Sequence, residues 1–270
     1  MEKLEADIVI VGTGASGLFA ALHVPSDKKV LMLTKSDAEN SDSFLAQGGI
    51  CVLRDKNDFD SFMEDTMKAG HYENRKESVE IMINSSRDII NELIGYGVDF
   101  ATKDGKLDYT REGAHSKPRI LFHEDITGKE ITSTLLDVVR KLENVTIMEY
   151  VTMTDIIEKD NVCYGVLAKD ANNNEMCIEA GYTIFACGGI GGLYAHSTNY
   201  PHLTGDAIAI AIQHGIKLEN VDYVQIHPTT YIQRKKEEPS LLVNRFVVKG
   251  LSFMEKTENV LRMKCCHVIL

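Results

Sequence analysis

Several residue groups in this chain have the types and spacing that chemistry requires. Gly12-Thr13-Gly14-Ala15-Ser16-Gly17 stands between an apolar run and a second apolar segment. Glycines at this spacing permit a tight turn and let the backbone approach a pyrophosphate, while a following helix offers amide donors and a partial positive charge. Ala186-Cys187-Gly188-Gly189 also follows an apolar run and would let the backbone come close to something flat or anionic. Arg111-Glu112-Gly113-Ala114-His115-Ser116 carries an acid, a base and a histidine on flexible backbone; taken alone it reads as a solvated loop. His227, before Pro228 and Thr229, taken alone reads as a structural histidine, and Ala46-Gln47-Gly48-Gly49 as a loop. The cysteines, at 51, 163, 177, 187, 265 and 266, form no C-x-x-C pair, so neither a zinc site nor a redox dithiol is expected.

The elements around these groups give the glycines their meaning. Asp7-Ile8-Val9-Ile10-Val11 reads as a buried parallel strand, Leu18 to Leu22 as a helix, and Val30 to Thr34 as the second strand of a βαβ unit. A strand–glycine–helix context is what raises G-x-G-x-x-G above a packing turn. An ordinary NAD site would place an acid after the second strand, but Thr34 and Lys35 stand there. Helices are predicted at Phe59 to Ala69, Glu77 to Tyr96, Ile131 to Leu142 and Asp206 to His214, with Ile81, Ile89, Ile90, Leu93 and Ile94 at helical spacing in the second. Val145 to Met148 reads as a third parallel strand. Val151 to Ala180 reads as a β-meander broken at Asp160-Asn161 and at Asn172-Asn173-Asn174, and Tyr182 to Ala186 as one more strand.

Composition narrows the class. The 270 residues are 44% hydrophobic and 26% charged, a globular balance. Net charge is -11, and no basic run is longer than Arg234-Lys235-Lys236, which disfavours nucleic acid as a partner. No apolar stretch reaches the ~18 residues of a membrane span. Met1-Glu2-Lys3-Leu4-Glu5 lacks a basic leader, and scattered thiols suit a reducing compartment, so a cytoplasmic location is expected.

Taken in order, the fingerprint, T-K, A-Q-G-G, R-E-G-x-H-S, A-x-G-G-I-G-G-L-Y-x-x-S-T-N, T-G-D and V-Q-x-H-P-T resemble the succinate dehydrogenase/fumarate reductase flavoprotein superfamily. The similarity spans Asp7 to Thr230 and is greatest to the aspartate-oxidising members. It implies an α/β fold: a Rossmann-like, glutathione-reductase-like domain with a central parallel sheet and a β-meander. It also implies FAD. By resemblance, Thr13, Gly14, Ala15 and Ser16 approach the pyrophosphate, and Lys35 lies by the adenosine. Asp42, Ser43, Phe44, Leu45, Ala46, Gln47, Gly48 and Gly49 line the flavin, and Asp206 also contacts FAD. Respiratory members carry a histidine at the position of Asp42, so its aspartate implies non-covalent FAD.

Glu112 would face the substrate's α-ammonium, favouring L-aspartate over succinate, and His227 would bind a substrate carboxylate. The implied reaction oxidises L-aspartate to iminoaspartate, with fumarate or oxygen as electron acceptor, in de novo NAD biosynthesis. Quinolinate synthase is the implied downstream partner, and no metal is implied. The alternatives are a soluble fumarate reductase and a non-catalytic FAD-binding fragment.

After Thr230 the pattern breaks. Superfamily members continue with a phrase like F-L-I-S-E-S-V-R-G-E-G-A, whose arginine is the catalytic acid/base; here Leu241-Leu242-Val243-Asn244-Arg245-Phe246-Val247 follows. Degenerate back-translation, read from the third base of each codon, lets Val243 to Leu251 spell E-S-V-R-G-E-G-A. The residues after Leu251 likewise spell superfamily-like text. We therefore expect a one-nucleotide frame change near or before Ser240. The FAD-binding domain would occupy residues 1–239 and an out-of-frame tail residues 240–270, with the capping and C-terminal helical domains missing. No arginine of the chain then takes the catalytic role, and the chain as written is expected to have little or no oxidase activity.

Overall fold

The computed structural model describes residues 1–226 and two short strands beyond them. In chain order the strands are β1 (Glu2–Val11), β2 (Val30–Leu33), β3 (Ile50–Cys51), β4 (Thr102–Lys103), β5 (Lys106–Leu107), β6 (Ile120–Leu121), β7 (Val145–Met148), β8 (Thr152–Lys159), β9 (Val162–Lys169), β10 (Glu175–Phe185), β11 (Thr230–Tyr231) and β12 (Ser240–Leu241). The helices are α1 (Ala15–Leu22), α2 (Asp42–Leu45), α3 (Phe59–Ala69), α4 (Lys76–Tyr96), α5 (Thr127–Val139) and α6 (Asp206–Gln213). They fall into two compact units, one of Met1–Ala46 with Gly128–Gln225, the other of Gln47–Thr127 with β11 and β12.

The first unit is built on one sheet in the order β7-β2-β1-β10-β9-β8. β7, β2, β1 and β10 run parallel, and β10-β9-β8 form the antiparallel meander. Parallel strands covered on both faces need continuous apolar sequence, and β2 is buried at all four positions. Val9, Val11, Leu31 and Leu33 join Met153, Val166, Ile178 and Ile210 of α6 in one core. Ile10, Val30 and Met32, one residue out of phase, are fully buried and so face the other side. α1 packs on β1 through the buried Leu18 and Ala21. Each such aliphatic contributes about 1.5–3 kcal/mol by leaving water.

Two features extend the sequence reading. β1 begins at Glu2, not Asp7, because Leu4 and Ala6 alternate with exposed Glu and Lys while pairing with the meander part of β10. β10 is one strand where two were predicted: its first half pairs with β9 and its whole length with β1, so the meander and the parallel sheet share a strand. The meander turns lie where expected. Asp160 and Asn161 both have positive φ, the geometry of a two-residue hairpin turn, and the Asp170 carboxylate accepts from the amides of Asn172 and Asn174.

In the second unit, α3 and α4 pack around Phe62, Val79 and Ile83, with Cys51 and Leu53 against them. α4 stops at Gly97, which takes the left-handed conformation that ends helices. Its buried stripe is Val79, Ile83, Ile90 and Leu93, whereas Ile81, expected on that stripe, is 69% exposed. β3 pairs with β6, and β4 with β5, in two short antiparallel ribbons.

Candidate functional site

In the first unit the fingerprint sits at the end of β1, as the sequence predicts. Gly12 has φ +116°, and a methyl group there would lie 2.2 Å from the Ala186 carbonyl oxygen. A methyl at Gly17 would lie 2.1 Å from the Gly12 oxygen. The fold alone therefore demands these two glycines. Gly14 is different: its φ is -72°, and the nearest atom to an added methyl is Ser43 Oγ at 3.1 Å. Gly14 is also the residue before α1 and carries no side chain to cap its first turn. Open helix amides beside a glycine that internal packing does not require make a cradle for an anion.

The neighbours of Gly14 complete that cradle. Ala15 N donates to Ser43 Oγ at 3.1 Å, tying α2 to the start of α1. Ser41 Oγ is buried and has no hydrogen-bond partner among the described residues. A buried hydroxyl left unpaired costs about 1–3 kcal/mol, and a phosphate oxygen is the kind of acceptor that would satisfy it. Thr13, the residue before Gly14, is also buried. The Ala46 carbonyl accepts from Gly128 N at 2.8 Å, and Lys129 Nζ lies 5.6 Å from the Phe44 ring centroid. Asp42 to Ala46 is thus fastened to both α1 and α5, with Leu45 in the same turn of helix.

Lys35 and Asp206, expected at the cofactor, are joined to each other. Lys35 Nζ lies 2.6 Å from Asp206 Oδ2 and donates to the His202 carbonyl and to Thr204 Oγ1. An ammonium has three protons, and all three are engaged in holding residues 202–206. Asp42 holds the neighbouring stretch: Oδ1 accepts from Tyr200 N at 3.0 Å, and Oδ2 accepts from Asn199 Nδ2. Burial pushes the Asp42 carboxyl above its usual range, against the lowering effect of those two bonds and of His202. His202 Nε2 meets the Asn40 carbonyl oxygen at 3.1 Å. The strand-end segment 35–42 and the glycine-rich stretch leading to α6 are therefore stitched at Lys35, Asn40 and Asp42.

The second unit holds Gln47, Gly48, Gly49 and Glu112. A methyl at Gly48 would lie 3.4 Å from Glu112 Oε1, so the A-Q-G-G loop and the R-E-G-A-H-S loop face each other. Thr127 Oγ1 donates to the Gly48 carbonyl at 3.2 Å, fixing its direction. Gln47 Oε1 is buried and has no partner among the described residues. His115 Nε2 lies 3.2 Å from Cys51 Sγ. Burial pushes the Cys51 thiol up to about 11, with Arg119 opposing and Glu112 assisting.

Sequence reasoning missed what anchors this loop. Arg119 is fully buried; it grips Asp58 at 3.0 and 3.3 Å, also bonds Asp65, and lies over the Phe62 ring. Asp65 in turn accepts from the amide and hydroxyl of Ser116, the last residue of R-E-G-A-H-S. Burial raises the Asp58 carboxyl, but hydrogen bonds from Arg119 and Ser61 and the Arg119 charge outweigh it and bring it down to about 2. His227 lies outside the described residues, as do all but Ser240 and Leu241 of the expected tail.

A parallel sheet with this fingerprint, an open α1 and an unpaired serine beside it define a dinucleotide-binding α/β protein. The chain belongs to the FAD binding domain family, whose model matches residues 7–265. FAD is accordingly its cofactor, and Thr13, Gly14, Ser41 and Ser43 fit a pyrophosphate on the geometry above.

Two curated relatives are L-aspartate oxidases. That of Clostridium perfringens is 42% identical over 245 residues, and that of Clostridium acetobutylicum is 43% identical over 246. Each match covers 91% of this chain and 56% of the relative, so the chain spans little more than half the length of these relatives. Among solved structures, the Escherichia coli quinol fumarate reductase FrdA superposes with a TM-score of 0.75 at 25% identity, over 79% of this chain and 38% of that one. Among the described residues, no helix is long and apolar enough to cross a membrane.

Proposed function

We propose that the chain is the FAD-binding part of an L-aspartate oxidase, which oxidises L-aspartate to iminoaspartate and delivers the electrons to fumarate or oxygen. The observation that carries the reading is Glu112, a carboxylate on a loop pinned by Ser116–Asp65–Arg119 and set against Gly48. Bound FAD supplies the two-electron acceptor. Glu112 pairs with the substrate's α-ammonium and so selects aspartate over succinate. An ion pair at 4 Å gains about 4 kcal/mol at an effective dielectric of 20. Cα would give up a hydride to the flavin and the ammonium one proton, leaving the protonated imine (iminium) form of iminoaspartate. His227 binds a substrate carboxylate. Asp42, held by Tyr200 and Asn199, stands where the respiratory members have the histidine whose ring nitrogen attaches the flavin, so FAD would be held without that covalent bond. The reaction belongs to the cytoplasmic de novo route to NAD, with quinolinate synthase consuming the product.

We further propose that residues 240–270 are an out-of-frame tail, produced by a frame change near or before Ser240, and carry no catalytic arginine. The test uses two proteins, the chain as written and one with the frame restored, each loaded with FAD and titrated anaerobically with L-aspartate. The restored protein is expected to bleach, and the chain as written to stay yellow. A restored protein that binds FAD and is bleached by succinate but not by aspartate would replace this reading with a fumarate reductase. Bleaching of the chain as written would overturn the assignment of the tail.

A further inference from the structure

The second unit contains a contact that the proposed chemistry does not use. Cys51, at the end of β3, lies against His115 in the R-E-G-A-H-S loop, 64 positions further along the chain, with Sγ 3.2 Å from Nε2. The other ring nitrogen, Nδ1, receives the backbone N–H of Glu112 at 3.4 Å, and the His115 amide donates to the Glu112 carbonyl at 3.1 Å. The imidazole therefore closes a small ring of contacts on the backbone of Glu112.

This arrangement selects a tautomer. A neutral imidazole carries one N–H and one lone pair. The Glu112 amide needs a lone pair on Nδ1, so the proton must sit on Nε2 and point at sulfur. In the opposite tautomer two N–H groups would face each other at Nδ1. The burial that pushes the Cys51 thiol up to about 11 keeps it neutral, so sulfur acts as a soft acceptor and not as a thiolate drawing a second proton onto the ring.

We propose that Cys51 is a positioning residue for Glu112: by accepting the Nε2–H of His115 it fixes the ring tautomer whose Nδ1 lone pair holds the Glu112 backbone. The proposal deepens the reading of Glu112 as the ammonium partner. The loop then has two adjacent fastenings at its carboxy-terminal end, Ser116 to Asp65 and His115 to Cys51, and the second reaches back to Glu112 through the ring.

The test reads the ring nitrogens directly. Uniformly 15N-labelled full chain loaded with FAD is studied by long-range 1H–15N correlation at about pH 8, where an ordinary imidazole is neutral. His115 is assigned by comparison with His115→Gln. The expected pattern is an unprotonated Nδ1 and a protonated Nε2. Cys51→Ser, which keeps an acceptor, retains it. Cys51→Val, which fills similar space without one, loses it and gives an exchange-averaged pair. A wild-type ring protonated on Nδ1 overturns the proposal, as does a Cys51→Val pattern identical to wild type. Because the wild-type spectrum alone can refute it, a poorly folding variant does not shield the idea. The signals are recorded without aspartate, so failure of the aspartate reading in the bleaching experiment leaves this result separate.

Discussion

Gly12 and Gly14 lie two positions apart in one motif, yet the geometry assigns them to different demands, and paired alanine substitutions separate the two. At Gly12 the added methyl would sit 2.2 Å from the Ala186 carbonyl oxygen, about 1 Å inside normal contact, on backbone at φ +116°. Strained non-glycine backbone costs about 1–3 kcal/mol, and forcing apart a packed neighbour adds about 1–3 kcal/mol. Gly12→Ala should therefore lose about 2–6 kcal/mol of a total near 5–15 kcal/mol. At Gly14 the backbone is ordinary at φ -72° and the closest approach is 3.1 Å, to a serine hydroxyl that can rotate. Gly14→Ala should change stability by less than about 1 kcal/mol, since reduced freedom of the unfolded chain offsets the contact. Its methyl would instead occupy the space of the pyrophosphate and weaken FAD at least tenfold, about 1.4 kcal/mol. Urea unfolding of the apoprotein gives the first quantity, and quenching of flavin fluorescence gives the second. A Gly14→Ala protein that binds FAD like wild type would refute the placement of the cradle, and an equally stable Gly12→Ala protein would refute the strain argument.

Three further outcomes follow from the site. Asp58 sits at about 2, below the usual carboxylate value, so its ionised form stabilises the fold. That contribution, about 2 kcal/mol, should be complete above about pH 4 and fade as pH falls toward 2; comparing urea midpoints of wild type and Asp58→Asn at pH 7 and pH 2.5 checks the sign. Arg119→Met leaves Asp58 and Asp65 without their shared cation and should cost about 3–5 kcal/mol, with faster proteolysis within residues 111–116; an unchanged melting temperature would contradict the anchoring role. In the frame-restored protein, Glu112→Gln should weaken L-aspartate about 10- to 100-fold while leaving succinate within about threefold, consistent with one lost charge pair; equal losses for both ligands would remove Glu112 from substrate selection.

The legible parts of the fold were those whose signals are local. β2, β7, α3 and α6 follow from short apolar runs or helical spacing, and the turn at Asp160-Asn161 from residues that tolerate positive φ. The first half of β1 was less legible because its alternation of Leu4 and Ala6 with charged residues makes sense only beside β10, more than 170 positions away. β10 reads as two strands in the sequence because its first part belongs to a meander and its second to the parallel sheet, and only the pairing of both parts with β1 joins them. The place of the glycine fingerprint between β1 and α1 was legible from the flanking apolar runs. Arg119 leaves no such local signal: its partners Asp58 and Asp65 lie 61 and 54 positions earlier. Cys51 and His115 were hidden for the same reason. Long-range polar pairs leave no periodic trace in a sequence.

The pairing of β1 with β10 also sets a timetable for biosynthesis. Glu2 leaves the ribosome 174 residues (176 - 2) before its partner Met176. At about 5–20 residues per second, the first strand made waits roughly 9–35 s for that neighbour. Only Val30 to Leu33 is available earlier, on the other edge. During that interval the β10-facing side of Val9, Ile10 and Val11 is an unpaired apolar strand edge, the kind of segment that chaperones bind and that self-associates when unattended. Slow-translating hosts and release of nascent chains before Phe185 should therefore favour aggregation of the amino-terminal segment over any soluble intermediate.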